Sequence, residues 1–187
     1  MKKFELTNEF VTNMFGTKLF RIRALVEFGD VEAGELGGYV EKESNLGHDD
    51  NAWVYDNAWV YGDAWVYGNA LVCGNARVYD NARVYGDARV YGDAWVYGNA
   101  RVCGDALVCG DARVCGNGDY AYAHGFGSVN RTTTFFRLKD GGVGVRCGCF
   151  YGTLAQFRDK IRETHGETKK AQEYLMLADL MKLRFEK

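Results

Sequence analysis

The sequence contains no proline. Every turn must therefore come from glycine, asparagine or aspartate. It also lacks an excess of either charge, with 23 Lys and Arg against 25 Asp and Glu and a net charge of −2. That balance excludes the basic surplus of a dedicated nucleic-acid binder and the strong acidity of a DNA mimic. No apolar run approaches the ~18 residues that a membrane span requires, so no membrane partner is expected. The opening MKKFELTNEF has two lysines followed by polar residues, without the apolar stretch of a signal peptide. A soluble, cytoplasmic protein is the expectation. Histidine is scarce, and none of the three lies between Asn51 and Gly116. Six cysteines are present, and without an export signal they read as reduced thiols rather than a disulfide framework.

What the chain does have is repetition. Alanine recurs every six residues from Ala52 to Ala112, and valine in step from Val54 to Val114. Eleven units close to [ND]-A-x-V-[YC]-[GD] run from Asn51 to Gly116. A helix, at 3.6 residues per turn, would scatter positions six apart around its surface. A short strand fits, because alternation sends Ala and Val to one side and their neighbours to the other. The Gly-Asp, Gly-Asn or Asp-Asn pair that follows is a corner former. Three such units make an 18-residue triangular coil, and coils stack about 4.8 Å apart.

The pattern V-Y-G-D-A-R resembles the hexapeptide repeat of left-handed parallel β-helix proteins, with Val84 at the aliphatic position and Ala88 at the small one. The resemblance implies a left-handed coil, a hand that periodicity alone does not give and that runs against the usual crossover preference. The expected fold is mainly β: residues 1–50 form an N-terminal β cap, 51–118 the β-helix, and 119–187 a C-terminal β-hairpin and two-helix cap.

The residues on either side of each valine face outward. The first coil carries Trp53 with Tyr55, Trp59 with Tyr61 and Trp65 with Tyr67. Later coils carry Arg77, Arg83, Arg89, Arg101 and Arg113 at the Trp position, with one more Trp at Trp95. Spacing by 18 stacks Trp59, Arg77, Trp95 and Arg113 in one alternating cation–π column. Tryptophan, tyrosine and arginine are also the residues enriched at interface hot spots, so Trp53, Tyr55, Trp59, Tyr61, Trp65, Tyr67, Arg77, Trp95 and Arg113 are the candidate binding residues. The same ladders could instead simply stabilise the prism. Cys103, Cys109 and Cys115 fall on three different sides, too far apart for a disulfide or a shared metal. Corner columns such as Asp87/Asp105 lack the nonapeptide signature of calcium-binding coils. No metal or cofactor is expected.

Both ends need covers, since an open coil templates aggregation. Before the repeat, KFEL and KLFRIRALVEF read as strands around an undefined FVTNMFG, and GELGGYVEKESNLG reads as glycine-turned chain. Leu46 and His48 continue the inward Ala and Val spacing. After it, TTTFFRLK and VGVRCGCF read as a hairpin around KDGG. Thr153-Leu-Ala-Gln156 is a capping box that opens a helix with the stripe Leu154, Phe157 and Ile161, stopped by Gly166. A last helix from about Glu167 to Phe185 has Ala171, Tyr174, Leu175, Ala178 and Met181 on one face. Cys147-x-Cys149 is too little for a zinc site, and His124 and His165 have no motif spacing to it.

Arg23-Ala-Leu25, Gly29-Asp30, Gly34-Glu-Leu-Gly-Gly38, Thr133-Thr-Phe-Phe136 and Cys147 to Gly166 together resemble a family of hexapeptide-repeat proteins from phage and prophage genomes. That resemblance implies a phage-linked accessory protein in a bacterial host cell and brings no catalytic residue. The expected function is non-enzymatic binding of a protein partner, a host or defence component among the candidates, by a homo-oligomer. Two alternatives stay open: a self-assembling or virion-associated element, and an acyltransferase-like enzyme. Enzymes of that fold use a histidine in or beside the coil, and this repeat has none.

Overall fold

The computed structural model describes residues 1–186. Its middle is a ladder of two-residue strands, from β4 (Trp53–Val54) to β14 (Arg113–Val114), recurring every six residues. Each pairs in parallel with the strand eighteen residues away, as in Trp59↔Arg77, Arg77↔Trp95 and Trp95↔Arg113. Three parallel stacks result, one for every third strand. The alanines from Ala52 to Ala112 and the valines from Val54 to Val114 are all buried between them. The architecture is a mainly β solenoid of about four turns with a helical part at its C-terminal end.

The corners explain the glycines. Gly68 and Gly86 stand at φ of 70° and 69°, and a Cβ on Gly86 would lie 3.0 Å from the Gly104 amide one turn on. Asp56 and Asp80 occupy the same corner position at φ of 54° and 58°. Each accepts the amide N–H of a glycine in the next turn, Gly74 at 3.0 Å and Gly98 at 3.2 Å. That bond offsets the strain of a left-handed non-glycine residue.

The stack has a chemical direction. Each turn donates its N–H groups to the carbonyls of the next, for example Trp59 N to Ala76 O at 2.9 Å. The first turn is left with bare carbonyls and the last with bare N–H groups, and buried orphans of either kind are costly. The N-terminal segment supplies donors. Tyr39 N reaches Ala58 O, Glu41 N reaches Val60 O and Gly47 N reaches Val66 O. Asn45, fully buried, donates Nδ2 to Ala64 O at 2.8 Å and to Gly62 O at 3.0 Å. Lys3 Nζ takes Ala52 O at 2.8 Å and Asp50 O at 2.6 Å. The C-terminal segment supplies acceptors. Thr134 Oγ1 takes Leu107 N, Asn117 Oδ1 takes Arg101 N, and Asp119 Oδ2 takes Cys115 N and Gly116 N.

The N-terminal segment differs from the sequence expectation in three ways. First, β1 (Phe4–Thr12) runs through FVT, pairing antiparallel with β2 (Lys18–Ala24), whereas Val26–Phe28 is not strand. Secondly, the glycines of GELGGYV lie inside a strand, β3 (Leu36–Val40), which continues the first stack in parallel, Tyr39↔Trp59. Gly37 is glycine because a Cβ there would sit 2.8 Å from the Trp53 indole and 2.6 Å from Ile22. Thirdly, Leu46 pairs with Val66, twenty residues away, so it takes the valine position and not the alanine one. The two added residues put His48 outside the inward row. It stacks on Phe4 at 4.4 Å instead.

At the other end β15 (Tyr120–Phe126), β16 (Arg131–Arg137), β17 (Val143–Cys147) and β18 (Phe150–Thr153) form an antiparallel meander. Alternation along β16 joins the two cores: Phe136 packs against the solenoid interior, while Phe135 packs under the helices. The latter are α1 (Leu154–His165) and α2 (Lys169–Phe185). Thr153 and Gln156 form the reciprocal cap of α1, and Gly166 ends it at φ of 57°. Phe157, Ile161, Ala171, Tyr174, Ala178 and Met181 are buried, with Leu154 and Leu175 half-buried.

Candidate binding faces

The outward residues divide among three sides that differ in character. On the first, Trp59, Arg77, Trp95 and Arg113 stack in that order. The Arg77 guanidinium lies 4.4 Å from the Trp59 ring centroid and 5.2 Å from that of Trp95, and Arg113 lies 4.3 Å from Trp95. Arg113 Nη1 also donates to the carbonyls of Ala112, Asp93 and Asp111 at 2.8, 3.0 and 3.2 Å. The Arg77 guanidinium makes no hydrogen bond or ion pair among the described residues, although the Arg77 amide donates to Ala94 O at 2.9 Å. Beside this column runs a second, of tyrosines. Tyr61 stacks on Tyr79 at 5.0 Å and Tyr79 on Tyr97 at 5.1 Å, with the ring planes nearly parallel. All seven side chains are half-buried.

Tyr79 and Tyr97 were absent from the sequence-based candidates, although their 18-residue spacing from Tyr61 places them. The N-terminal segment lengthens this face further. Tyr39 pairs with Trp59, and Arg21 covers the Tyr39 ring at 5.2 Å. Arg21 and the Tyr39 hydroxyl both bond Glu9, at 3.4 and 3.0 Å. These residues lie before the repeat, and only the twenty-residue first turn brings them into line.

The other sides carry less. On the second, Trp65 is 40% exposed and stacks on Tyr67 at 4.0 Å; Tyr67 in turn stacks on Tyr85 at 5.0 Å. On the third, Trp53 is not outward at all: it is fully buried, crossed edge-on by Phe28 at 5.3 Å and Phe4 at 6.2 Å. The N-terminal cap folds over it, so it is a core residue and offers no surface. Tyr55 remains half-buried beside Leu71 and Arg89, near the C-terminal Arg146.

Electrostatics set the chemistry of these faces. Burial holds the phenols of Tyr55, Tyr61 and Tyr97 above their usual range and pushes Tyr79 up to about 12. Burial also raises the thiols of Cys73 and Cys109, which keeps them protonated and unreactive. The histidines lie apart from this surface. His48 accepts the Lys3 amide through Nδ1 at 3.2 Å, and burial lowers its pKa. His124 meets the Thr132 hydroxyl at 2.9 Å and the Asp105 carboxylate at 3.8 Å through the same ring nitrogen, Nδ1. A nucleophile–base–acid relay needs opposite nitrogens. No group of three metal-ligating side chains occurs among the described residues.

No curated protein matches the sequence. The repeat matches the sequence profile of the YdcK Beta solenoid repeat over residues 52–68, 70–84, 82–98, 94–110 and 100–116, so the chain is similar to that family along its coil and is a β-solenoid repeat protein.

Proposed function

We propose that the chain is a non-enzymatic accessory protein that binds a protein partner through the face formed by Trp59, Arg77, Trp95 and Arg113. The partner is a host or defence component, met in the bacterial cytoplasm during phage growth, and the coil is left-handed. The phage setting and the hand rest on the sequence resemblance to phage hexapeptide-repeat proteins. The observation that carries the binding reading is Arg77. Its guanidinium is fixed between two indoles, yet none of its N–H donors is engaged among the described residues. A pre-ordered arginine loses little entropy on contact and can take a carboxylate or a carbonyl. Flanking aromatics that exclude water complete the composition of an interaction hot spot.

The covered ends speak against indefinite end-to-end growth, because Lys3 and Asn45 already occupy carbonyls of the first turn and Thr134 and Asn117 already occupy N–H groups of the last. A discrete homo-oligomer is compatible with this reading. The shared use of Nδ1 by His124 favours a binder over a hydrolase or acyltransferase.

Affinity capture from a bacterial host lysate, compared between the native protein and the Arg77→Glu and Trp59→Ala/Trp95→Ala variants, tests the reading. A partner identified by mass spectrometry should be lost from both variants while their melting remains cooperative. Equal recovery by all three proteins would rule out this face. Light scattering that grows without limit as concentration rises would favour the self-assembling alternative.

A further inference from the structure

A cavity of about 260 Å³ opens in the C-terminal part, far along the chain from the ladder face. It lies between the β15–β16 turn, the β17–β18 turn and the second half of α1. It joins sequence features that share no spacing: the Cys147-x-Cys149 pair, His165 and the loop after β15.

The walls are apolar. Phe150 and Phe157 approach at 5.4 Å, Ile161 is buried beside them, and the Tyr174 ring crosses Phe157 at 77°. The mouth is basic, with Arg131, Lys160 and His165, and neither Asp nor Glu lines the cavity. That one-sided charge stands out in a chain whose net charge is −2. Lys160 has an outside partner in Glu163 at 2.9 Å, whereas the Arg131 guanidinium makes neither ion pair nor hydrogen bond among the described residues.

Two backbone positions hold the shape. A Cβ on Gly148, at φ of 57°, would fall 2.0 Å from Arg131 Nη1, so the guanidinium rests directly on the turn. A Cβ on Gly127, at φ of 77°, would fall 1.9 Å from the Tyr174 ring. The Tyr174 hydroxyl is fixed by the Ser128 amide at 3.3 Å, and its ring stacks with His165 at 5.9 Å. The Cys147 thiol accepts from Thr133 Oγ1 at 3.2 Å, which makes it part of the wall.

We propose that this cavity binds a small amphipathic anion: an apolar body of about one ring against Phe150, Phe157 and Ile161, and a carboxylate or phosphate head at Arg131, Lys160 and His165. The volume lies just under the ~300 Å³ lower bound of small-molecule sites, which sets the size of the body. Apolar walls gain from covering an apolar group, and a bare inorganic ion would leave them wet. Arginine and lysine at the mouth favour an anionic head through charge-assisted hydrogen bonds and repel a cation.

Titration of the full-length protein with phenyl phosphate, followed by amide chemical shifts, tests the site. Saturable shifts are expected at Ser128, Cys149, Phe150, Thr164 and His165. Inorganic phosphate should bind at least ten-fold more weakly, and benzylamine, the charge-reversed probe, should leave these amides unmoved. The Arg131→Glu/Lys160→Glu variant, changed only at exposed positions, should lose at least ten-fold in phenyl phosphate affinity with the remaining spectrum intact. Benzylamine binding as tightly as phenyl phosphate, shifts confined to other parts of the chain, or undiminished affinity in the double variant would each overturn the proposal. The Trp59→Ala/Trp95→Ala variant should bind the probe normally, which separates this site from the ladder face.

Discussion

The hydroxyl of Thr134 accepts the amide N–H of Leu107 at 2.9 Å. Thr134 is fully buried on β16, and Leu107 lies in the last turn of the solenoid. A side chain thus stands where the carbonyl of a further turn would be. Thr134→Val keeps the shape and removes the acceptor. Leaving a buried donor unpaired costs about 1–3 kcal/mol, so chemical denaturation should show a loss of that size. Thr134→Ser, which restores the oxygen, should recover most of it.

Lys3 performs the opposite task at the other end. Burial pulls its pKa down to about 8, with Asp50 and Asp49 opposing the shift. A neutral amine still has two hydrogens for the two carbonyls it meets. Between about 8 and the unfolded value of 10.5 the unfolded chain holds a proton that the folded chain has released. Stability therefore rises with pH across that window, and this contribution is lost as pH falls through 8. Lys3→Met should remove the rise, read as a flattened denaturation midpoint between pH 8 and 10.

The tyrosine ladder gives the reverse dependence. Burial raises Tyr79 to about 12 from 10.0, with Tyr61 and Tyr97 adding to the effect. Its contribution to stability is complete below pH 10 and disappears as pH rises through 12. Ultraviolet titration of the native protein should show a delayed fraction of phenolate, and Tyr79→Phe should shrink that fraction.

Much of this arrangement can be counted along the chain. The inward Ala and Val rows follow from strict six-residue spacing, and the Trp59-to-Arg113 column from every third unit. KDGG and the Thr153/Gln156 cap are local signals that need no knowledge of the rest. What escapes counting is non-local. Trp53 has the same immediate neighbours as Trp59, yet one is core and the other surface, because only Trp53 lies under Phe4 and Phe28. Leu46 falls in the alanine row by arithmetic, but two extra residues before Val54 shift it to the valine row. Gly37 looks like a turn former, and its absent side chain instead makes room for an indole. The cavity at Phe150 and Phe157 is assembled from loops and a helix, so periodicity gives no hint of it.

Because one end needs donors and the other acceptors, while the turns between them are interchangeable, the molecule behaves as a ruler with two fixed end-pieces. Its length is quantised: excising residues 69–86 would remove one graduation, about 4.8 Å, and leave both terminal fittings seated. Evolution can thus respace the two ends without redesigning either of them.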